Sequence, residues 1–342
     1  MLAILGGRVS YKVFWVCIGI LLSACTNNAP QITKIKGYTM GTGYSVMWPS
    51  QSNNINADIV QQKIDAELIK INQQMSTYEQ SSELSLFNQA SAPFSQQVSP
   101  EFSQVLSLSF QIHSLTQGYF DISVGPLVNL WGFGPDKLTR LVPDQNQIKL
   151  AQSQIGLKAI ELNGLTLTKT ANRYLDLSAI AKGFAVDEVA KLIEELGIEA
   201  YLVEIGGEMR VKGEKSKGVS WKVAIEAPDF SERRVQKILS LKDVAMATSG
   251  DYRNYFEDNG ERFSHSIDPF TAQPVKHRLA SVTIIDDNCA RADALATAML
   301  VMGEEKAKEF AVQQGIKAYL IVRKQHSFVE YLSPAFESWL NP

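Results

Sequence analysis

The sequence has no cluster of basic residues. Its 33 lysines and arginines are scattered among 36 acidic side chains, for a net charge of −3. A nucleic-acid partner calls for a basic stripe, so that class is set aside. Standard nucleotide fingerprints are missing too. "GTG" at 41–43 has no third glycine at the dinucleotide spacing, and there is no Gly-Lys-Ser/Thr phosphate loop. Any nucleotide bound here therefore uses another fold. The apolar run "VFWVCIGILL" is too short to span a bilayer, which takes about 20 residues. Only three cysteines occur in 342 residues, none with the spacing of a metal site. The body shows no internal repeat, no low-complexity segment and no composition shift that marks a domain boundary. What is present is globular composition, 45% hydrophobic and 20% charged, long enough for one large core or two lobes.

Arg8 and Lys12 precede that apolar run, which ends in "LSAC". Leu22, Ser23 and Ala24 fit a small-residue cleavage pattern, and Cys25 follows at once. The segment resembles a bacterial lipoprotein signal peptide, with Cys25 as the lipidated first residue of the mature chain. The other reading is a plain signal or anchor helix in which Cys25 is incidental. Removing residues 1–24 takes away Arg8 and Lys12, leaving 31 basic against 36 acidic side chains. The polar "TNNAPQ" reads as a tether, so the expected organisation is signal 1–24, tether 25–34 and one domain over 35–342. Cys17 is discarded with the signal, and Cys289 then has no partner for a disulfide; it reads as a small packing residue.

Periodicity outlines the body. Val60, Ile64, Leu68, Ile71 and Met75 form the apolar stripe of an amphipathic helix. A second helix is expected from Ser99 as N-cap and Pro100 at N1 to Gly118, and a short one over 144–153. "GYFDISVGPLVNLWGFGP" (118–135) has no clean period and reads as an ordered loop that lines or covers a pocket. "YLDLSAIAKGFAVDEVA" (174–190) runs from a strand end into a helix with Ser178 as expected N-cap and Gly197 as stop. Strands are expected at 37–48 and 221–225, then at 235–247, 262–267, 279–286 and 316–323. The helix "CARADALATAMLVMG" precedes the last of them. Strands and helices mix without a regular βαβ repeat, so the fold class is α+β.

Several positions carry chemistry, each with a plainer alternative. Asp293 and Thr297 lie one turn apart on a helix face. They suit a hard cation such as Mg²⁺ or Ca²⁺; equally, the acid suits the helix dipole and the threonine burial. Lys182 near a helix start opposes the dipole, a cost that an anionic ligand would offset; otherwise it is a solvated surface lysine. His265 and Asp268 share the turn "HSIDP", as a proton-transfer site or as ordinary polar turn residues. Of the other histidines, His113, His277 and His326, the first falls in a predicted helix and suits chemistry least.

Taken together, the segments "GYTMGTGYSV", "MSTY", "GYFDISVGPLVNLWGFG", "LDLSAIAKGFAVDEVA", "YLVEIGGEMRVKG", "ATSGDY", "HSIDP" and "ADALATAMLVMG" resemble one family. It is that of the bacterial flavin transferases of the ApbE type, FAD:protein FMN transferases. The pieces follow the family order from about residue 35 to 325. The resemblance implies an enzyme that binds FAD with Mg²⁺, cleaves the pyrophosphate and attaches FMN through a phosphoester to a Ser or Thr hydroxyl of a target protein. Targets would carry a motif like Asp/Ser-Gly-Ala-Thr/Ser, as in subunits of sodium-translocating NADH:quinone reductase. Lipid anchoring on the periplasmic face of the inner membrane fits many members, with outer-membrane sorting left open.

Carried over by position, the resemblance implies flavin-nucleotide contacts at Met40, Tyr78, Tyr119, Phe120, Asp121, Asp176, Lys182 and Ile267. Tyr119 stands where many members have alanine. The implied metal ligands are the Ala179 carbonyl and the side chains of Asp293 and Thr297. "LSAI" replaces the common "LGGI" or "LGAI", a change that a backbone ligand tolerates. A base must take the acceptor hydroxyl's proton, with His265 the first candidate and Asp268 the second. Two further readings stay open: an FAD diphosphatase whose acceptor is water, and a non-enzymatic periplasmic flavin-binding lipoprotein.

Overall fold

Eight strands hydrogen-bond in chain order, and every neighbouring pair is antiparallel. We label them β1 (Ile32–Thr39), β2 (Thr42–Pro49), β3 (Tyr201–Ile205), β4 (Glu208–Lys212), β5 (Val244–Gly250), β6 (Leu279–Asp286), β7 (Lys317–Lys324) and β8 (Ser327–Leu332). The computed structural model describes residues 31–50, 55–135, 142–228, 234–252, 254–325 and 327–341. The signal segment, Cys25 and His326 lie outside them. Because β1 begins at Ile32, residues 32–34 of the expected tether belong to the sheet.

Both faces of this sheet are covered. Tyr201, Val203 and Ile205 of β3 point to one side with Ala245, Ala247, Ala318 and Leu320, while Leu202, Met246, Tyr319 and Ile321 point to the other. Strands buried on both faces read as continuous apolar runs, which is how "ASVTII" and "AYLIV" appear in the sequence. The first face carries a helical layer that includes α1 (Ala57–Met75), α3 (Pro100–Leu115), α6 (Ala181–Glu195) and α7 (Cys289–Met302), with α2 (Glu83–Gln89) beside α1. The second face carries the hairpin Trp221–Glu226/Val235–Leu241 and the C-terminal helix Pro334–Leu340. A satellite cluster joins α4 (Gly125–Leu130) and α5 (Gln145–Ser153) to the hairpin Tyr255–Asp258/Glu261–Ser264.

The expected α1 stripe is buried at all five positions. Ser99 caps α3 through the Phe102 amide, and Asp144 caps α5 in a reciprocal box with Gln147. Four expectations need correction, one being the strand over 262–267, which is split between Glu261–Ser264 and Ile267–Asp268 in separate sheets. The segment 118–135 is not all loop: Pro126 opens α4, which buries Leu127. Its single short turn is below what periodicity resolves. Ser178 does not cap α6, since Ile180 occupies the cap position and the Ser178 hydroxyl donates to Asp176 instead. The strand expected over 235–247 is two strands in different sheets, broken at Asp243, whose φ is +52°.

Candidate active site

Thr39 pairs with Thr42, so β1 and β2 are joined by Met40 and Gly41 alone, at φ of +50° and +71°. Two successive positive φ values give the hairpin turn that matches strand twist. A methionine there is uncommon, and it lines a cavity of about 970 Å³. The β3–β4 hairpin repeats the device, with Ile205 pairing with Glu208 across Gly206 and Gly207. Both glycines line the same cavity.

The stretch quoted as 174–190 supplies another wall. Asp176 accepts hydrogen bonds from the Ser178 amide at 2.8 Å and the Ser178 hydroxyl at 2.5 Å. These hold the turn that leads to Ala179 and α6. At the first turn of α6 the Gly183 amide departs from helical pairing. It donates to Asp293 Oδ2 at 3.1 Å, whereas the next amide, Phe184, donates to Ile180 in ordinary i→i−4 fashion. Among the described residues no backbone amide outside the regular elements donates to the Ala179 carbonyl, and Ala179 lines the cavity.

Lys182 extends from this turn between two buried acids, 3.3 Å from Glu208 Oε1 and 3.7 Å from Asp293 Oδ2. Burial works against the lysine's charge, but Asp293 and Glu208 outweigh it and raise its pKa. Burial pushes Glu208 up to about 7 and raises Asp293 as well, with Lys182 opposing both. With both acids ionised, two carboxylates share one ammonium and the cluster keeps a net negative charge. One turn along α7, Thr297 Oγ1 sits 2.9 Å from the Ser249 hydroxyl.

His265 faces the cavity from the turn after the Glu261–Ser264 strand. Its Nδ1 is 3.1 Å from the Asn254 carbonyl. A carbonyl only accepts, so Nδ1 carries the proton and Nε2 keeps its lone pair. Burial lowers the imidazole pKa below its ordinary 6.5, which keeps it neutral at pH 7.

Tyr78, Tyr119, Phe120, Asp121 and Ile267 also line the cavity. Asp121 is fixed by the Ser123 amide and hydroxyl at 2.8 and 2.6 Å. Asp268 differs from the rest. Its carboxylate accepts the Phe270 amide at 2.8 Å, and it does not line the cavity. The sequence thus nominated twelve residues that the fold brings to one cavity and one that it leaves outside.

A family model, the ApbE family, matches residues 40–320. The chain belongs to the ApbE family. It is 44% identical over 325 residues to the FAD:protein FMN transferase of Vibrio cholerae serotype O1, covering 94% of this chain and 96% of that protein. It is 41% identical over 332 residues to the one from Haemophilus influenzae, covering 94% and 95%. The structure of flavin transferase ApbE from Vibrio cholerae superposes with a TM-score of 0.85 at 41% identity, over 91% of this chain and 99% of that one.

Against this family background, two features were not read from the sequence. Glu208 was quoted within "EIGGEMRVKG" but given no role. Asp187 on α6 pairs with Arg210 Nη1 at 2.6 Å and accepts the Ala290 amide at 3.0 Å. The signal that could have found both is the alternation in β4. Met209 and Val211 face the second core, so Glu208, Arg210 and Lys212 face the helices. There they meet Lys182, Asp187 and Glu194, opposite in charge at each step.

Proposed function

We propose that this protein transfers FMN from FAD to a Ser or Thr hydroxyl of a target protein and releases AMP. The observation that carries the reading is the convergence of the flavin-contact and metal-ligand positions on one cavity, in a chain of the ApbE family. The names of its relatives, FAD:protein FMN transferases, support the same activity.

The residues fit a divalent cation. Asp293 and Glu208 leave uncompensated negative charge around Lys182, Thr297 offers a hydroxyl and Ala179 an open carbonyl. All are hard oxygen donors, the set that Mg²⁺ takes. Ala179, Asp293 and Thr297 would hold the ion, which supplies charge neutralisation of the pyrophosphate and of the leaving phosphate. Lys182 binds and orients the anionic pyrophosphate. The acceptor oxygen attacks the FMN phosphorus as its bond to the AMP oxygen breaks. The hydroxyl proton passes to His265 Nε2, which the Asn254 contact leaves free to take it. A relative solved as a histidine-to-glycine variant of the Vibrio cholerae flavin transferase superposes with a TM-score of 0.84.

The chain is placed on the periplasmic side of the inner membrane by a lipid on Cys25. No helix among the described residues is long and apolar enough to cross a membrane, so a lipid would serve as the attachment. Target proteins carry an Asp/Ser-Gly-Ala-Thr/Ser-like motif.

The deciding experiment incubates the protein, FAD and Mg²⁺ with and without a peptide bearing that motif, then weighs the peptide and assays AMP. A peptide heavier by an FMN phosphoryl adduct, with AMP released in step, is the expected result. FMN and AMP formed equally without peptide would make the protein an FAD diphosphatase. FAD bound but intact would make it a flavin carrier.

A further inference from the structure

Glu208 opens β4 directly after the Gly206–Gly207 turn and is 4% exposed. Its two carboxylate oxygens are in different situations. Oε1 lies 3.3 Å from the Lys182 ammonium, while Oε2 has no hydrogen-bond partner. Buried polar atoms in native proteins are nearly always paired, and an unpaired charged one carries its full desolvation penalty. The position beside Oε2 admits only glycine. A Cβ on Gly206 would stand 3.4 Å from Oε2, 3.4 Å from Lys182 Cδ and 2.9 Å from Thr42 Cγ2. Gly206, Thr42, Lys182 and Glu208 all line the cavity, and a side chain at 206 would press on the unpaired acceptor and on the Lys182 stem.

A carboxylate oxygen repels phosphate and accepts O–H or N–H donors. The donor must also lie close to whatever Lys182 binds. In a flavin dinucleotide the donors nearest the pyrophosphate are the hydroxyls of the ribityl chain on one side and of the ribose on the other. The ring N–H and the adenine amine sit at the far ends. We propose that Glu208 is a substrate-binding residue whose Oε2 accepts a hydrogen bond from a sugar hydroxyl flanking the pyrophosphate. This rests on the flavin-transferase reading given above.

The test uses the full chain with Glu208→Ala and the near-isosteric Glu208→Gln, in the presence of Mg²⁺ and about two pH units above the raised Glu208 pKa of about 7, where the carboxyl is ionised. Calorimetry measures affinities for FAD, FMN, ADP and inorganic pyrophosphate. Glu208→Ala is expected to weaken FAD about tenfold, the scale of one charge-assisted hydrogen bond. It should weaken FMN alike if the donor is a ribityl hydroxyl, or ADP alike if it is a ribose hydroxyl. Pyrophosphate, which has no hydroxyl, should bind as before or more tightly, because a negative charge has left the neighbourhood of Lys182. Glu208→Gln should weaken FAD roughly threefold by making the acceptor neutral, and it decides alone if the alanine variant does not fold. Unchanged FAD affinity in the folded variants overturns the proposal. Pyrophosphate weakened as much as FAD also overturns it, since Glu208 would then act only through Lys182. Failure of the wild-type chain to bind FAD is a separate result, and it removes the flavin reading itself.

Discussion

His265 and Asp293 occupy the same cavity, but their environments give them different work. The histidine is held neutral by burial, with its proton directed to Asn254 and its free nitrogen available. His265→Asn should leave FAD affinity within a few-fold and lower turnover by roughly two to four orders of magnitude. A base works only when deprotonated, and burial has lowered this pKa. The acidic limb of the wild-type rate profile should therefore fall below pH 6.5, and the variant should lack it. A variant that keeps both its rate and that limb would move the base elsewhere. Asp293 instead sits at the meeting point of the Gly183 amide and the Lys182 ammonium. Asp293→Ala should abolish turnover, and ordinary Mg²⁺ concentrations should not restore it. Near-normal Mg²⁺-dependent activity would remove Asp293 from the metal shell.

Helix α6 is the element on which the site depends most. It crosses α7 so closely that a Cβ on Gly183 would sit 2.4 Å from the Cys289 carbonyl oxygen and 2.8 Å from Ala290 Cα. These are backbone atoms and cannot swing aside. Gly183→Ala should therefore push the helices apart and cost about 1–3 kcal/mol of stability, the usual range for overpacking. Thermal melting would register it as a lower Tm, and FAD affinity should fall with it, because Lys182 precedes the displaced residue. An unchanged Tm would mean that the crossing has slack the geometry does not show. Sideways, α6 is registered against β4 by three ion pairs, of which Lys182–Glu208 is the most buried on its acidic side. Breaking a pair of this kind strands a desolvated carboxylate, so such pairs fix register more than they add net stability.

For the molecule as a whole, the antiparallel sheet carries its helices on one face and a hairpin with the last helix on the other. The cavity draws walls from stretches far apart in sequence, from Lys34 to Val301. The proposed lipid attachment is a separate matter that rests on the sequence before Ile32. Cys25→Ser should leave the precursor unprocessed by a lipoprotein peptidase, since the thiol carries the lipid that processing requires. Normal maturation with unchanged membrane association would show that "LSAC" is coincidental. Fractionation with an antibody to the chain reads both outcomes.

Local pattern was enough for everything that depends on neighbours along the chain. The α1 stripe, the Ser99 cap and the Asp293–Thr297 pair on one helix face all follow from spacings of three or four residues. The ordered motifs then pointed to a family, and through it to the cavity residues. What spacing could not supply was the partner across a gap. "EMRVK" alternates, but a polar alternate face ordinarily reads as solvent-facing; only the packing of α6 on β4 turned it inward and opposed its charges. Likewise Ser178 looks like a helix cap until Asp176 claims its hydroxyl, and only the fold shows that Asp268 accepts the Phe270 amide and lies outside the cavity lining. Lys182, Glu208 and Asp293 are separated by 26 and 85 positions in the chain. A sheet register and a helix crossing bring them within hydrogen-bonding or ion-pair reach of one ammonium, and neither of those is encoded in any single stretch of sequence.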